Sequence, residues 1–138
     1  MAKVDINGLP NLQKKLRNLT KEVHKKVSKE LTKGALDIRN TAINAIQQQS
    51  SGRKYGNHTA SKPGDAPNVD TGELIASIFA QPSSPNKLEA AVVATAPHAR
   101  FLEFGTSKMA ARPFLNPALN ANEKLIMDSV IKSINEKL

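Results

Sequence analysis

Residues Pro97 to Ala118 read Pro-His-Ala-Arg-Phe-Leu-Glu-Phe-Gly-Thr-Ser-Lys-Met-Ala-Ala-Arg-Pro-Phe-Leu-Asn-Pro-Ala, and this stretch is the most informative part of the sequence. It holds three of the four phenylalanines of a chain that has one tyrosine and no tryptophan. Large aromatic side chains dominate cores and interfaces, so a chain with few of them places its main anchors here. We call residues 97–118 the aromatic corner.

Local chemistry predicts a helix, a turn and a second helix in the aromatic corner. Proline suits the first helical turn, where its missing N–H is no loss, so Pro97 to Phe104 is predicted to be a short helix that Gly105 ends. Pro113 then fixes an extended approach. Asn116 followed by Pro117 predicts an N-cap and the first turn of a helix that runs towards the C-terminus.

The aromatic side chains of the corner are expected to pack in the core. Phe101 and Phe104 lie three residues apart and share a helix face, whereas Arg100 and Glu103 lie on another face. Phe114 can plug into the core after the turn. Apolar residues at helical spacing usually serve packing, so burial of all three phenylalanines is the expectation and a specific binding role is the alternative.

Length and composition indicate a single domain, residues 1–138, with a modest aliphatic core. The chain has no cysteine, which fits a reducing compartment. Its first residues lack the apolar segment of a secretion signal, and no run approaches the roughly 18 apolar residues of a membrane span. We therefore expect synthesis in the cytoplasm and no membrane contact.

The positive charge is concentrated in the first half of the chain. The net charge is +8, with 13 Lys and Arg against 4 Asp and Glu in residues 1–62, and 7 against 8 in residues 63–138. Such asymmetry permits contact with nucleic acid or an acidic partner, and it equally fits a solvated helix face.

A long amphipathic helix is predicted over about residues 9–46. Apolar residues recur every three or four positions, with lysines mostly off that line; the apolar positions are Leu9, Leu12, Leu16, Leu19, Val23, Val27, Leu31, Ala35, Ile38, Ala42 and Ala45. Gly34 costs about 1 kcal/mol relative to alanine, which makes it the expected place for a bend.

A mobile loop is predicted over about residues 47–68, where the composition turns polar and no apolar period remains. It holds a small basic cluster around the only tyrosine, formed by Arg53, Lys54, Tyr55, His58 and Lys62. Long loops in compact domains are often functional, so Arg53, Lys54 and Tyr55 are the candidate interface residues. A plain flexible tether is the alternative.

The remaining elements predict a small antiparallel sheet and a C-terminal helix. Asp70 or Thr71 is expected to cap a helical turn with Glu73 reaching back. A hairpin of strands near 77–81 and 88–95 should follow, so that the sheet and the aromatic corner together occupy about residues 70–115. A helix over about 117–137 carries an apolar stripe, formed by Leu119, Leu125, Ile126, Val130, Ile134 and Leu138. The predicted fold class is α+β, two helices packed around this sheet.

A search for catalytic or ligand-binding motifs finds little. The three histidines lack the spacing of a metal site, and no phosphate loop, dinucleotide fingerprint or nucleophile elbow is present. Glu103, between two phenylalanines, is expected to pair with Arg100 or Arg112 or to stabilise the turn. We predict no enzyme activity, no metal, no cofactor and no small-molecule substrate; a hydrolase using His98 and Glu103 is a remote alternative.

Several motifs, in this order and spacing, resemble the tail-completion or neck protein family of long-tailed bacteriophages, similar to the minor tail protein Z group. They cover most of the chain and read Ile6-Asn-Gly8-Leu9, Ala66-Pro67, Thr71-Gly72-x-Leu74-x-x-Ser77-Ile78, Pro97-His98-Ala99-Arg100-Phe101-x-Glu103-Phe104-Gly105-Thr106 and Arg112-Pro113-Phe114-Leu115-x-Pro117. His98 stands where the family often has tyrosine, and Leu102 where polar residues are common.

The resemblance implies a structural virion protein that forms a ring at the head–tail junction. By analogy the ring is a hexamer, its partners are tail-tube and head-connector proteins, and it is assembled in the host bacterial cytoplasm, with passing contact to DNA. The structural signature that the resemblance carries over is Thr71, Gly72, Leu74, Pro97, Phe101, Glu103, Phe104, Gly105, Thr106, Arg112, Pro113, Phe114 and Pro117. A small basic DNA-binding protein is the main alternative, because of the charge of the first half.

Overall fold

A computed structural model describes residues 2–5, 21–48, 54–55, 58–59, 61, 63–68 and 72–136 of the protein. In chain order the elements are β1 (Ala2–Asp5), α1 (Lys21–Gln47), β2 (Lys54–Tyr55), β3 (His58–Thr59), α2 (Glu73–Ser77), β4 (Ile78–Gln81), β5 (Ala91–Ala94), α3 (Ala99–Phe104) and α4 (Leu115–Asn135). The predicted α+β fold, with two long helices and a small antiparallel sheet, is confirmed.

Helix α1 buries one continuous apolar stripe. Its 27 residues span about 40 Å at about 1.5 Å per residue. The predicted positions from Val23 to Ala42 are buried, and Ile46 extends the stripe by one turn. The lysines at 21, 25, 29 and 33 are exposed, as the amphipathic pattern predicts. The predicted part of this helix at residues 9–20 lies outside the described residues.

The sheet has the strand order β1–β5–β4, with both pairs antiparallel. The predicted hairpin of β4 and β5 is confirmed, and its turn is closed by a bridge between Ser84 and Lys87. The sequence analysis missed β1, which pairs with the other edge of β5. All four residues of β5 are buried, and Val92 and Ala94 belong to the hydrophobic core.

Helix α2 does not begin as predicted. Gly72 occupies the N-cap position in a left-handed conformation (φ 81°, ψ −1°), and as a glycine it has no side chain with which to cap the helix. Asp70 and Thr71, the predicted caps, lie outside the described residues. Glycine fits here because it adopts positive φ without the steric cost that a Cβ imposes.

Helices α1 and α4 pack against each other at Gly34. Helix α1 continues through Gly34, so this glycine does not interrupt it. A Cβ at Gly34 would lie 2.8 Å from Cγ1 and 2.9 Å from Cδ1 of Ile126 on α4. The missing side chain therefore allows the close approach of the two longest helices, a role that helical propensity alone does not reveal.

We expect the substitution Gly34→Val to lower the free energy of unfolding by about 2 kcal/mol, because overpacking outweighs the gain in helical propensity. The double variant Gly34→Val with Ile126→Ala should lose less than the two single variants together, since the valine fills space that the isoleucine vacates. Urea unfolding measures the free energy of unfolding of the two single variants and of the double variant. Additive losses would contradict the close contact at Gly34.

Candidate functional site

Helix α3 opens the aromatic corner and ends at Gly105, as predicted. It begins at Ala99, two residues later than expected, with His98 at the N-cap position. The Gly105 N–H donates to the carbonyl oxygen of Phe101 at 2.8 Å. Gly105 has φ 74° and ψ 178°, a region that is essentially restricted to glycine. The turn therefore depends on this residue for its backbone conformation.

The turn after Gly105 folds back tightly on α3. The Thr106 N–H donates to the carbonyl of Met109 at 2.8 Å, and the Arg112 N–H donates to the carbonyl of Leu102. A Cβ at Gly105 would lie 2.9 Å from both Ala111 N and Met109 O. Since both atoms belong to the backbone, the turn excludes a side chain at position 105 sterically as well.

Glu103 points into the interior and caps helix α4. It is 4% exposed. Its Oε2 accepts hydrogen bonds from the N–H groups of Phe114 at 2.8 Å and Leu115 at 2.9 Å, and its Oε1 accepts from the N–H of Asn116 at 2.8 Å. A carboxylate at a helix N-terminus satisfies free N–H groups and complements the helix dipole. Of the roles predicted for Glu103, the turn-stabilising acceptor is confirmed.

The predicted N-cap at Asn116 is wrong. Helix α4 begins at Leu115 with Phe114 as N-cap, and no side chain of the cap residue itself makes a capping bond. Glu103 supplies the acceptors for three of the first four N–H positions, and Pro117 at the fourth has no N–H. A cap from a distant residue thus replaces the local cap that sequence rules predict.

Two of the three phenylalanines are not in the core. Phe114 is 1% exposed, which confirms its predicted burial, but Phe101 is 52% exposed and Phe104 is 62% exposed. The expected core role of Phe101 and Phe104 is therefore wrong. The reason is that the first N–H groups of α4 need an acceptor, which Glu103 on α3 supplies. Because Glu103 faces the interior, the face of α3 that carries both phenylalanines faces solvent.

The exposed aromatic rings border a surface groove of about 650 Å³. It is lined by Arg100, Phe101, Phe104, Gly105 and Thr106. Arg100 thus lies beside the phenylalanines rather than with Glu103, which corrects the predicted pairing of faces. We call these five residues the aromatic groove. Exposed aromatic rings next to an arginine have the composition of a protein-binding surface.

The aromatic corner also holds the end of the predicted loop. The Nε of Arg112 donates to the carbonyl of Ser61 at 3.1 Å, and the Gly64 N–H donates to the carbonyl of Ala111 at 2.9 Å. Pro67 and Asn68 are buried. The described part of this segment around residues 61–68 is therefore attached to the corner.

The candidate interface in the loop is only partly described. The backbone of Lys54 and Tyr55 forms β2, which pairs with His58 and Thr59 of β3 in a short antiparallel ribbon that the sequence analysis did not predict. Arg53 lies outside the described residues. The role of Arg53, Lys54 and Tyr55 in an interface stays a prediction, as does the mobility of the loop.

The geometry does not favour the alternative of a hydrolase that uses His98 and Glu103. Both oxygens of Glu103 are occupied by backbone N–H groups, and His98 is exposed at the N-terminus of α3. Across the described residues, no three acidic or histidine side chains gather at a metal-binding distance. None of the described helices is both long and apolar enough to cross a bilayer.

Comparison with known families identifies the chain. Residues 11–105 match the family described as "Bacteriophage HK97-gp10, putative tail-component", which is more than half of the 138 residues. The chain belongs to this family. Neither the curated proteins nor the solved structures compared with it give a significant match. The resemblance to a phage tail family is thus confirmed, and the protein is a structural component of phage tails that meets other virion proteins.

The family match places most of the structural signature within an HK97 gp10-like protein. It ends at Gly105, so the matched region includes the Phe101, Glu103 and Phe104 triplet. Thr106, Arg112, Pro113, Phe114 and Pro117 lie beyond it. Among these later residues, Phe114 is the buried anchor, and its N–H is one of the three that Glu103 binds. The matched region and the residues beyond it therefore meet at the Glu103 carboxylate.

Proposed function

We propose that this HK97 gp10-like protein is a tail-completion or neck component that forms a ring at the head–tail junction of a long-tailed phage or prophage. The observation that carries the proposal is the presentation of Phe101 and Phe104 to solvent by a helix whose Glu103 is bound in the interior. The tail-component family supports a role in assembly rather than catalysis.

The aromatic corner has the properties of a preorganised binding surface. Helix α3 is fixed at one side by the Glu103 cap and at the other by the bond from Arg112 N–H to Leu102. Holding exposed aromatic rings in one orientation lowers the entropy that association must overcome. The partners that we propose are the tail-tube and head-connector proteins and further copies of the chain. By analogy with the family, the ring is expected to be a hexamer that assembles in the host cytoplasm.

Removal of the gene from the phage or prophage that encodes it should give filled heads and separate tails, and the wild-type gene supplied in trans should restore joined particles. The double variant Phe101→Ser and Phe104→Ser should fail to restore joining, since it removes both exposed rings. Phe79→Ser, which changes another exposed phenylalanine on β4, should restore it. Electron microscopy and plaque counts measure the outcome; joined, infectious particles without the gene would contradict the proposal.

DNA binding is the second candidate, and one observation favours it. Lys21, Lys25, Lys29 and Lys33 are exposed at four-residue spacing on α1, so they form one basic line on its surface. Lys26, beside that line, instead pairs with Glu136. Steeply salt-dependent binding of the isolated protein to duplex DNA would support this candidate, whereas negligible binding at low salt would remove it.

A further inference from the structure

Helix α4 leaves an apolar side chain exposed at a position where the sequence predicts burial. Leu125 was expected in the apolar stripe of the C-terminal helix, yet it is 67% exposed, whereas its neighbour Ile126 is buried against Gly34. An isolated exposed leucine is common on protein surfaces. Leu125 differs from an isolated exposed leucine because charged residues of α1 lie beside it.

Leu125 stands at the rim of a shallow depression between α1 and α4. Helix α1 contributes Glu30, Lys33, Gly34 and Asp37 to the lining, and α4 contributes Asn122, Leu125, Ile126 and Ser129. Two carboxylates and one lysine give this surface a net negative charge. We call Leu125 with Glu30 and Asp37 the leucine ridge.

The leucine ridge and the aromatic groove are complementary. The groove is an open surface of about 650 Å³, lined by Phe101 and Phe104, and it carries the positive charge of Arg100. The ridge presents the exposed side chain of Leu125 beside Glu30 and Asp37, with Lys33 also in the lining. Apolar contact between a leucine and aromatic rings, with opposite charges beside it, is the kind of complementarity found at protein interfaces.

We propose that the aromatic groove of one copy of the chain receives the leucine ridge of the next copy. This inference rests on the proposed ring, and it names the two surfaces that would meet in it. The two surfaces differ, so the contact is heterologous: each copy offers a groove to one neighbour and a ridge to the other. Repetition of such a contact closes into a ring when the rotation per subunit permits.

Disulfide trapping tests this pairing directly, because the native chain contains no cysteine. One chain carries Phe104→Cys and a second, enlarged by a tag, carries Leu125→Cys. Both positions are exposed, so both variants should fold. Under mild oxidation, the mixture should give the disulfide-linked heterodimer in about tenfold excess over either homodimer, since a specific contact of 1.4 kcal/mol already supplies that ratio.

The matched control replaces Leu125→Cys by Ile131→Cys, an exposed position six residues further along α4 on a different face. Its mixture with Phe104→Cys should give heterodimer and homodimers near the random ratio. A random ratio for the Leu125→Cys mixture as well would overturn the pairing. A dominant Phe104→Cys homodimer would also overturn it, because the contact would then join like surfaces.

The complementation assay separates this inference from the proposed function. Absence of specific trapping with normal joining of heads and tails would overturn the groove-and-ridge contact and leave the neck role standing. Joined particles in the absence of the gene would overturn the neck role itself, whatever the trapping shows. Specific trapping together with loss of joining in the Phe101 and Phe104 double variant would support both.

Discussion

Glu103→Ala is expected to lower the free energy of unfolding by about 4 kcal/mol, one of the two largest effects expected in the aromatic corner. It leaves the N–H groups of Phe114, Leu115 and Asn116 without their acceptor, and the first two are buried. An unsatisfied buried N–H costs about 1–3 kcal/mol. Urea unfolding monitored by circular dichroism measures the loss.

Two further variants separate the cap from general effects of altered charge. Glu103→Gln keeps one carbonyl oxygen but turns an amide donor towards an N–H group, so it should lose about 2 kcal/mol. Glu89→Gln, in an exposed pair with Lys87, should change stability by less than about 0.5 kcal/mol. Amide hydrogen exchange at Leu115 and Asn116 should accelerate in Glu103→Gln and not in Glu89→Gln. Equal effects of the two substitutions would contradict the capping role.

Gly105→Val is expected to lower the free energy of unfolding by about 4 kcal/mol. A side chain there meets an unfavourable backbone conformation, worth about 1–2 kcal/mol, and also a clash with the backbone of Met109 and Ala111, worth about 1–3 kcal/mol. Thermal and urea unfolding measure the effect.

Alanine substitutions divide that loss into its two causes. Gly72→Ala meets only the conformational cost of positive φ, because no atom of the described residues, its chain neighbours aside, lies within 4 Å of the added Cβ; it should lose about 1 kcal/mol. Gly105→Ala should lose more, since its Cβ also contacts backbone atoms at 2.9 Å. Equal losses at the two glycines would show that the turn after α3 is looser than the structure indicates.

The parts of the fold that the sequence predicted are those that depend on local periodicity. The stripe from Val23 to Ala42 and the hairpin of β4 and β5 each follow a repeat of apolar residues, so their faces were predictable. Strand β1 was not, because its alternation of apolar and polar residues covers only four positions and includes a single β-branched side chain, which is a weak strand signal. It exists because β5 offers a second edge, which is a property of the tertiary fold.

The sequence predicted where the candidate site lies in the chain, but it did not predict which face of α3 points to solvent. The motif drew attention to residues 97–118, and Gly105 was predicted to end the helix, as it does. The direction of α3 depends on Glu103 reaching N–H groups 11 to 13 residues away, a contact that periodicity cannot reveal. The available signal was a lone acid between two phenylalanines before a glycine. Such an acid needs a partner when it is buried.

The exposure of Leu125 escaped prediction for a related reason. Leu125 and Ile126 are adjacent, and both fit the apolar stripe approximately. Only one can face α1, and the close approach at Gly34 selects Ile126. The side chain of Leu125 is then left on the surface beside Glu30 and Asp37. A glycine on one helix thus decides which apolar residue of the other is available to a partner.

The central claim is that this HK97 gp10-like protein joins virion parts by assembling through its exposed aromatic corner. The most direct test is the mass of the purified protein by light scattering over a concentration series, alone and with the tail-tube protein of the same phage. The account predicts an assembly of ring size in at least one condition, and its loss in the variant Phe104→Glu. A monomer that ignores the tail-tube protein in every condition would contradict it.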